Sequence, residues 1–302
     1  MARKKRLKIA LIGYGAISQT LLDLFRKKKP PIDILGVLVR PGRAAETRKK
    51  VGRKVTVVET LPALLKLKPD VVVEAASQEA VRDWGEAVLK KGIDLMVIAT
   101  GAYGDPKLYK KHIKAAEKSG ARLRLPSGAI AGLDGLLAMR LGKLDRVKYV
   151  SIKPPHAWSG TPAETEFDLG AIKEPTVIFR GKPADAGRLY PKNANLAVTV
   201  ALCGAGLERT EVELVADPTL PPGTNASRLE VVGDSGEINL QRLGRSMPDN
   251  PKTGVLTALT MADDLMKMVR ASDQRGPWRW PILPAIGRGR SSTVFCSGDS
   301  VS

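Results

Sequence analysis

The alternation of apolar and polar positions divides the chain into two parts with different patterns. In the first part, from about residue 6 to about residue 125, short apolar runs alternate with amphipathic segments. The apolar runs read LKIALIG, DILGVLVR, VTVVET, PDVVVEAAS, DLMVIATGA and ARLRLPSGAI. Strands separated by helices of roughly 10 to 15 residues form βαβ units, so the pattern predicts a parallel sheet covered by helices.

Beyond about residue 125 the pattern changes to strands bounded by turns. The segments VKYVSIKPP, PTVIFRG, RTEVELVADP and SRLEVVGDSGEINLQRL are typical of strands, and NANLAVTVALCGAGL is typical of a helix between them. This arrangement predicts a second α/β domain whose sheet is largely antiparallel. We therefore expect an α/β fold with a first domain over residues 1–125 and a second domain over residues 126–252.

Two C-terminal segments complete this division. TGVLTALTMADDLMKMVR has helical periodicity over residues 253–270, and we expect this helix to pack back on the first domain. Residues 271–302 are rich in Gly, Pro, Ser and Arg, which is typical of a disordered tail. A partner-binding arm is the alternative interpretation of the same composition.

The charge balance of the chain is strongly basic. It carries 49 Lys and Arg against 31 Asp and Glu, a formal net charge of +18. One interpretation is a surface of solvated lysines, and a more specific one is attraction of anions such as phosphates, acidic substrates or nucleic acid. Aromatic residues make up only 4% of the chain and the basic residues are scattered, so we expect no nucleic-acid partner.

The sequence also indicates a compartment and excludes a metal framework. No apolar run approaches the roughly 20 residues that span a bilayer, and IALIGYGAIS after the basic start is too short for a signal peptide. We therefore expect a cytoplasmic protein without a membrane partner. The two cysteines, Cys203 and Cys296, make neither a disulfide framework nor a zinc-binding spacing, so no metal is expected.

A glycine-rich turn follows the first predicted strand. Gly13 and Gly15, with Ser18 in the third place, match the G-x-G-x-x-G pattern, and Ala16 and Ile17 open the next helix. The first glycine permits a tight turn, the second lets the backbone approach a pyrophosphate, and the third position needs a small residue. This context predicts a Rossmann-type, dinucleotide-binding first domain, with a purely structural turn as the alternative.

The end of the second strand bears on which dinucleotide is bound. An acidic residue that holds the ribose is expected about 20 residues after the glycine loop. That part of the chain reads VLVRPGR instead, with Arg40 and Arg43. Because an arginine suits a 2′-phosphate, the sequence favours NADP over NAD as the cofactor. Two solvated arginines are the alternative interpretation.

Four motifs in the second half of the chain resemble the L-aspartate dehydrogenase family. They read LPSGAIAGLDGL, KPPHAWSGTPAE, YPKNANLAVTVALCGAGLERTEVELVADP and NPKTGVLTAL, and the resemblance covers about residues 7–270. Members of this family are Rossmann-fold enzymes that oxidise L-aspartate to iminoaspartate with NAD or NADP, and run the reductive amination in reverse. The resemblance implies an amino-acid dehydrogenase for a small acidic substrate, and its sheet-bearing second domain is expected to form a homodimer.

The resemblance also implies which residues contact the cofactor. Ala129 of PSGA and Asn195 of NANL match cofactor contacts of the family. Ala75, Ala76 and Ser77 follow the strand VVVE, where a Rossmann chain passes the cofactor. We therefore expect these five residues to line the dinucleotide site.

The position of the family's catalytic histidine holds a serine. Asn225 matches the first place of a family N-x-H motif and is expected to bind substrate, while Ser227 stands in the place of the histidine. A histidine exchanges the proton of the amine at neutral pH, whereas a serine hydroxyl hydrogen-bonds or positions a water. Losing a general acid/base costs on the order of 10²–10⁴ in rate, so Ser227 puts the activity in question.

Other side chains within the family motifs are candidate site residues. His156 is a candidate substitute for the catalytic histidine, and a structural or solvated histidine is the alternative. The second histidine, His112, lies on a basic helix and is expected at the surface. The remaining candidates for substrate binding are Ser127, Lys153, Thr161 and Lys252. Thr161 is alternatively a turn residue before a proline.

Three functions stay open on the sequence. The first is an NADP-preferring amino-acid dehydrogenase or imine reductase of the resembled family, with aspartate or a different substrate. The second is a non-catalytic, dinucleotide-binding paralogue, which Ser227 and the unusual tail favour. The third is an oxidoreductase of a different acidic substrate with the two-domain design of dihydrodipicolinate reductases. The four intact motifs favour the first, and the lack of a histidine-rich stretch counts against the third.

Overall fold

Two six-stranded sheets organise the part of the chain that the structure describes. The computed structural model covers residues 6–191, 193–247 and 250–272 of the 302-residue chain, without the side chains of 250–253 and 270–272. We call the two sheets sheet A and sheet B. Helices pack on both, so the predicted α/β fold class is confirmed.

Sheet A is parallel and comes from the first part of the chain. Its strands are β1 (Leu7–Ile12), β2 (Ile32–Leu38), β3 (Thr56–Val58), β4 (Val71–Glu74), β5 (Asp94–Val97) and β6 (Leu123–Arg124). They lie in the order β3-β2-β1-β4-β5-β6, and every adjacent pair is parallel. This is the strand order of the Rossmann fold, so the prediction for the first sheet is confirmed.

Helices cover both faces of sheet A, which explains why its central strands are apolar throughout. The helices are α1 (Ala16–Lys28), α2 (Ala44–Val51), α3 (Leu61–Leu65), α4 (Gln78–Lys90) and α5 (Pro106–Ser119). Alternate residues of β1 belong to two different cores. Ala10 and Ile12 pack on the side of α4 and α5, while Ile9 and Leu11 pack on the side of α1.

Sheet B is mixed and largely antiparallel. Its strands are β7 (Leu144–Lys153), β8 (Thr176–Gly181), β9 (Thr210–Ala216), β10 (Thr224–Gly233), β11 (Gly236–Met247) and β12 (Asn250–Gly254). Their order is β12-β11-β10-β7-β9-β8, and only the β7–β9 pair is parallel. The helices of this part are α6 (Leu133–Met139), α7 (Ala163–Glu166), α8 (Pro183–Leu189) and α9 (Asn195–Cys203). The predicted character of the second sheet is confirmed.

The last helix, α10 (Val255–Ser272), packs on sheet A although it follows sheet B in sequence. Its buried residues Met261, Ala262, Leu265 and Val269 share a core with α1 and β1. This packing brings Gly254, at the start of the helix, back to the edge of sheet A. The division into domains at residues 125 and 252 stays a prediction.

Predicted and observed elements differ where the segments are short. ARLRLPSGAI contributes only Leu123–Arg124 to sheet A, because Pro126 follows and Gly128 turns the chain with φ +59°. Helices α2, α6, α7 and α8 and strand β12 were not among the predicted elements. His112, expected at the surface, is fully buried, so that expectation is wrong. It faces Gly85 of α4, and the missing side chain there makes room for its ring.

Within the described residues, no helix is both long and apolar enough to cross a membrane. The tail predicted over residues 271–302 lies, from residue 273 onward, outside the described residues.

Candidate functional site

The glycine loop between β1 and α1 has the close packing that its sequence pattern predicts. Gly13 has φ +92°, and a Cβ there would come within 2.8 Å of the Ala76 Cβ and 3.0 Å of the Ala75 carbonyl oxygen. Ser18 is buried, and its hydroxyl donates a 2.9 Å hydrogen bond to the Gly13 carbonyl. Glycine is therefore required at the turn, and the serine in the third place fixes it to the helix.

The N-terminus of α1 is open towards solvent above Gly15. A Cβ on Gly15 would meet nothing within 4 Å, no side chain caps the helix, and no acidic residue lies in its first turn. The first backbone N–H groups of the helix, around Ala16 and Ile17, therefore have no side-chain acceptor. Free N–H groups at a helix N-terminus form an anion-binding site, so these residues fit a dinucleotide pyrophosphate.

A buried carboxylate holds the neighbouring strand ends in place. Glu74, the last residue of β4, is 1% exposed. Its Oε1 accepts the N–H groups of Ala76 at 2.7 Å and Ser77 at 2.9 Å, and its Oε2 accepts that of Ala99 at 3.0 Å. Burial raises the pKa of Glu74 to about 7, against these hydrogen bonds, which lower it. Glu74 thus shapes the loop against which the Gly13 turn packs.

The two arginines after β2 have different surroundings. Both are exposed, but Arg43 pairs with Glu46 at 3.0 Å, whereas Arg40 has no ion pair within the described part of the chain. Glu59 accepts the N–H groups of Gly42 at 2.9 Å and Ala44 at 3.2 Å and so caps α2. Of the two predicted cofactor residues, Arg40 is the one left available to an anion.

The start of α9 is fastened to the loop after β5. The Asn195 side chain accepts the Gly101 N–H at 3.0 Å, and its carbonyl accepts the Thr100 hydroxyl at 2.7 Å. Gln78, at the start of α4, donates to the Pro191 carbonyl at 3.0 Å. Asn195 therefore lies at the carboxyl edge of sheet A, as its expected cofactor role requires, and its side-chain oxygen is already bonded to protein.

Sheet B presents a row of polar residues on the face that carries the core. Ser227 of β10 is in register with Ser151 of β7 on one side and with Arg242 of β11 on the other. Asn225 lies two residues before Ser227 on β10, and Lys153 lies two residues after Ser151 on β7. Because side chains alternate between the two faces of a strand, both share this face. We call these five residues the polar strip. All but Arg242, which is half-buried, are less than 9% exposed.

Lys153 lies at one end of the polar strip in a nearly closed environment. Its Nζ donates to Asn193 Oδ1 at 2.7 Å and lies 5.4 Å from the centre of the Trp158 ring. Asn193 is 6% exposed, and its Nδ2 has no hydrogen-bond acceptor among the described residues. A buried amide donor without an acceptor is costly and points to a bound oxygen from a ligand or water.

Arg242 organises the other end of the polar strip. Its Nη2 donates to Asn225 Oδ1 at 2.7 Å, and its Nε donates to Ser227 Oγ at 3.3 Å. Asn225 Nδ2 in turn donates to Ser246 Oγ at 3.0 Å. Ser227 also contacts the phenol of Tyr149, and burial raises the pKa of that phenol to about 12. Burial lowers the pKa of the Arg242 guanidinium, which remains charged at neutral pH.

The polar strip meets the loop after β6 beside the start of α10. A Cβ on Gly254 would lie 3.7 Å from the Ala129 Cβ and 3.8 Å from Asn225 Oδ1. Thr260 of α10 donates its hydroxyl to the Gly128 carbonyl at 2.8 Å. Ala129, predicted to contact the cofactor, and Asn225, predicted to contact substrate, are therefore brought together although they are distant in sequence.

The remaining predicted site residues lie outside this cluster of contacts. Ser127 is half-buried, and its carbonyl accepts the Ile130 N–H at 3.1 Å. Thr161 donates its hydroxyl to the Trp158 carbonyl and so closes a turn. Lys252 lies on β12, and its side chain is outside what the structure describes.

Neither of the two histidines of the chain belongs to the polar strip. His156 is exposed and lines an open depression of about 510 Å³ together with Glu164 and Asp168. His112 bonds the Tyr103 hydroxyl through Nδ1 at 3.0 Å, and burial lowers its pKa to about 4. Within the described residues, no group of three or more His, Cys, Asp or Glu side chains could hold a metal ion.

Sequence reasoning assigned no site role to four residues of this region. Glu74 could have been noticed, because a carboxylate that ends an all-apolar strand needs partners. Asn193 lies in the quoted family motif, two residues before Asn195. Arg242 and Tyr149 gave no local signal, because only the pairing of β11, β10 and β7 brings them to Ser227.

Comparisons with known proteins agree with this geometry. The family model for the C-terminal domain of aspartate dehydrogenase matches residues 134–268, and the model for the NAD-binding domain of homoserine dehydrogenase matches residues 13–126. The L-aspartate dehydrogenase of Ralstonia nicotianae is 41% identical over 258 residues, which cover 84% of this chain and 95% of the relative. That of Serratia proteamaculans is 38% identical over 262 residues, covering 87% and 97%.

A solved structure supports the fold. The crystal structure of aspartate dehydrogenase from Thermotoga maritima matches with a TM-score of 0.67 and 23% identity, over 91% of this chain and all of that one. The family models and the two relatives, which the chain matches over nearly their whole length, lead to one conclusion about its family. The chain belongs to the aspartate dehydrogenase family of NAD(P)-dependent oxidoreductases that act on the CH–NH2 group of an amino acid.

Proposed function

We propose that the chain interconverts L-aspartate and iminoaspartate, and hence oxaloacetate and ammonia. The observation that carries this proposal is the position of the polar strip, with two cationic side chains, beside Ala129 and Gly254 at the edge of sheet A. That edge also carries the Gly13 turn and the open N-terminus of α1. An acidic substrate on the strip would lie next to a dinucleotide on the loop.

For this reaction the polar strip must bind the carboxylates of the substrate and orient its Cα. It must also allow a proton to reach or leave the substrate nitrogen. The nicotinamide, when bound, supplies the hydride chemistry. Lys153 and Arg242 are the cationic groups of the strip, and Asn193 offers a buried N–H donor. Asn225, held by Arg242 and Ser246, is fixed for orientation of the substrate. Cations in a nearly water-free cleft bind carboxylates more strongly than they do in water.

In this proposal Ser227 stands where relatives carry a histidine, and the reaction proceeds without one. Neither His112 nor His156 lies on the polar strip. The Ser227 hydroxyl is engaged by Arg242 and Tyr149, so it serves to position groups rather than to remove a proton. An iminium ion already carries its proton, and we therefore expect kcat of reductive amination to fall less than kcat of amine oxidation, with the KM values shifting so that the equilibrium constant is unchanged.

We infer NADP rather than NAD as the preferred cofactor. The support is Arg40, an exposed guanidinium after β2 with no ion pair among the described residues. Two carboxylates are bonded to this loop in the described part of the chain, and neither pairs with Arg40. Glu46 pairs with Arg43, and Glu59 accepts the backbone N–H groups of Gly42 and Ala44. Arg40 at this position suits a 2′-phosphate, which only NADP carries.

We also infer a homodimer formed through the outer face of sheet B. A row of apolar residues in register crosses that face, opposite to the polar strip: Leu243, Ala226, Ile152, Val215 and Val177. The two ends of the row, Leu243 and Val177, are 57% and 39% exposed. A second copy would cover these side chains. Sedimentation equilibrium tests this inference, and a monomer at all concentrations contradicts it.

The direct test of the function is consumption of NADPH, and in parallel NADH, with excess ammonia and a panel of oxoacids that includes oxaloacetate. Fastest turnover with oxaloacetate supports the proposal. Fastest turnover with a different oxoacid assigns another substrate to the same site. Cofactor binding without any turnover favours a dinucleotide-binding protein that does no redox chemistry. Rates in both directions, compared for one oxoacid and its amino acid, test the expected advantage of reductive amination.

A further inference from the structure

Arg242 is a half-buried charged side chain that no acidic residue neutralises in the part of the chain that the structure describes. It is half-buried on the core-facing side of β11, and none of the described residues forms an ion pair with it. Three other arginines of sheet B do have such partners: Arg146 and Arg228 pair with Glu230, and Arg180 pairs with Glu213. An unpaired charge away from water is costly unless an anion is bound there.

Building on the function proposed above, we propose that Arg242 is a specificity-determining residue that binds one carboxylate of a dicarboxylic substrate. An arginine carries five N–H donors. The Nε–H of Arg242 is directed to Ser227 and one N–H of Nη2 to Asn225. Within the described residues, the two N–H groups of Nη1 and the second of Nη2 have no acceptor. These donors are adjacent, which suits a forked, bidentate contact with a carboxylate.

The surroundings of Arg242 hold its guanidinium in one place. Both of its acceptors are neutral, less than 9% exposed and located on the neighbouring strand β10. Any side chain at Gly244 would collide with Arg242 Nη1, so the glycine leaves the space in which the guanidinium lies. A guanidinium that is positioned by neutral neighbours keeps its full charge for a ligand.

The polar strip offers a second group of donors at Lys153. Its ammonium is bonded to Asn193, whose Nδ2 has no acceptor among the described residues. Asn225 shares the face of both cations, with Arg242 bonded to it from β11 and Lys153 on the adjoining strand β7. Two cationic positions on one face match the two carboxylates of a four-carbon diacid. The Arg242 contact would then distinguish a diacid from a monocarboxylic amino acid.

Binding of succinate, a diacid that does not react, tests Arg242 separately from turnover. Isothermal titration of succinate, and of butyrate as its monocarboxylic counterpart, is performed on protein saturated with NADP. The variants are Arg242→Met and Arg242→Lys, with Arg245→Met as the matched control. Arg245 lies on the same strand but points to the opposite face and is exposed, so its replacement removes an equal charge outside the strip.

We expect the unaltered protein to bind succinate more tightly than butyrate. Arg242→Met is expected to weaken succinate binding by about 10- to 100-fold, which corresponds to one charge-assisted contact, while butyrate binding changes little. The succinate affinity of Arg242→Lys is expected to lie between those of the unaltered protein and Arg242→Met. Lysine keeps the positive charge but lacks the paired N–H donors of a guanidinium. Arg245→Met is expected to bind both ligands like the unaltered protein. Thermal unfolding of each variant shows whether it is folded.

The outcomes separate this inference from the proposed function. Unchanged succinate binding in folded Arg242→Met and Arg242→Lys overturns the inference, even where oxaloacetate is turned over. If succinate binding is lost in Arg242→Met while the unaltered protein turns over no oxoacid, the role of Arg242 in carboxylate binding is supported and the proposed function is contradicted. Failure of the unaltered protein to distinguish succinate from butyrate overturns the inference as well.

Discussion

Arg242 Nη2 donates a 2.7 Å hydrogen bond to Asn225 Oδ1, although Asn225 is in register with Gly244 and not with Arg242. The guanidinium therefore leans along β11 over Gly244, towards the end of sheet B that meets Ala129. In doing so it occupies the space beside Ser227. The small residues at 227 and 244 and the large one at 242 form one packing unit.

Because of this packing, we expect that a histidine at position 227 does not fit unless Arg242 is also replaced by a smaller side chain. Ser227→His adds an imidazole to a site that is 5% exposed and already contacted by Arg242 and Tyr149. We expect overpacking to lower the free energy of unfolding by about 1–3 kcal/mol, measured by urea denaturation. Ser227→His combined with Arg242→Met is expected to recover most of that loss, because the methionine leaves the room that the ring needs.

The same pair of variants tests whether a histidine at position 227 supplies an acid/base group for the proposed reaction. If the histidine is accommodated in the double variant, kcat for aspartate oxidation is expected to rise relative to Arg242→Met alone, while KM stays high without the guanidinium. Additive effects on stability, or a single Ser227→His variant as stable as the unaltered protein, would show that Arg242 does not occupy this space.

Because His112 is buried, we expect the folded protein to lose stability in acid. Burial lowers its pKa in the folded protein to about 4, below the value of about 6.5 in an unfolded chain. The unfolded state therefore binds the proton more readily, and stability is lost as the pH falls from about 6.5 through 4. The full effect is about 3 kcal/mol. His112→Phe is expected to remove this part of the pH dependence in urea titrations at several pH values.

His156 provides the control for that measurement. It is exposed and is the only other histidine of the chain. His156→Phe is therefore the matched replacement of a histidine outside the core. The prediction for His112 fails if the two variants lose stability in parallel as the pH falls.

Glu74 predicts the opposite pH dependence. Burial raises its pKa in the folded protein to about 7, above the value of about 4.3 in an unfolded chain. The folded state binds the proton more readily, so this contribution to stability is complete below about pH 4.3 and is lost as the pH rises through 7. The loss is about 3–4 kcal/mol. Glu74→Gln, which cannot ionise, is expected to flatten the fall between pH 5 and 8.

The Glu74 variant also bears on the cofactor loop. An amide replaces one acceptor oxygen by a donor, so either the Ala99 N–H or both the Ala76 and the Ser77 N–H groups lose their partner. NADPH affinity, measured by fluorescence titration, is expected to fall in Glu74→Gln. A variant with unchanged affinity and an unchanged pH profile would mean that Glu74 neither titrates in this range nor shapes the loop.

If Arg40 binds the 2′-phosphate as proposed, its replacement is expected to change the preference for NADPH over NADH. Arg40→Ala is expected to raise KM for NADPH by about ten-fold or more and to leave KM for NADH nearly unchanged, because the contact is to the 2′-phosphate. Arg43→Ala is the comparison, since Arg43 is held by Glu46 and is expected to have the smaller effect. Equal changes for both dinucleotides in Arg40→Ala would rule out a contact with the 2′-phosphate.

The local pattern of the sequence was enough for the six strands of the first half and for all of its α-helices except α2. Apolar strands such as β4, buried along its whole length, alternate with amphipathic helices, and this periodicity depends only on neighbours in the chain. The glycine loop was equally readable, because the turn at Gly13 and the helix start at Gly15 follow each other directly. Asn225 and Ser227 were predicted as site residues from the resemblance to a family motif.

The groups that surround those residues were decided by tertiary structure. Arg242 reaches Ser227 through strand register, and Gly254 reaches Ala129 because α10 packs back on sheet A. His112 is buried because Gly85 of another helix leaves room for it, which no periodicity within its own helix reports. The sequence determined which segments form strands and helices, since those depend on local backbone and side-chain preferences. Only the folded chain decided which charges and polar atoms meet, since those contacts join residues far apart along it.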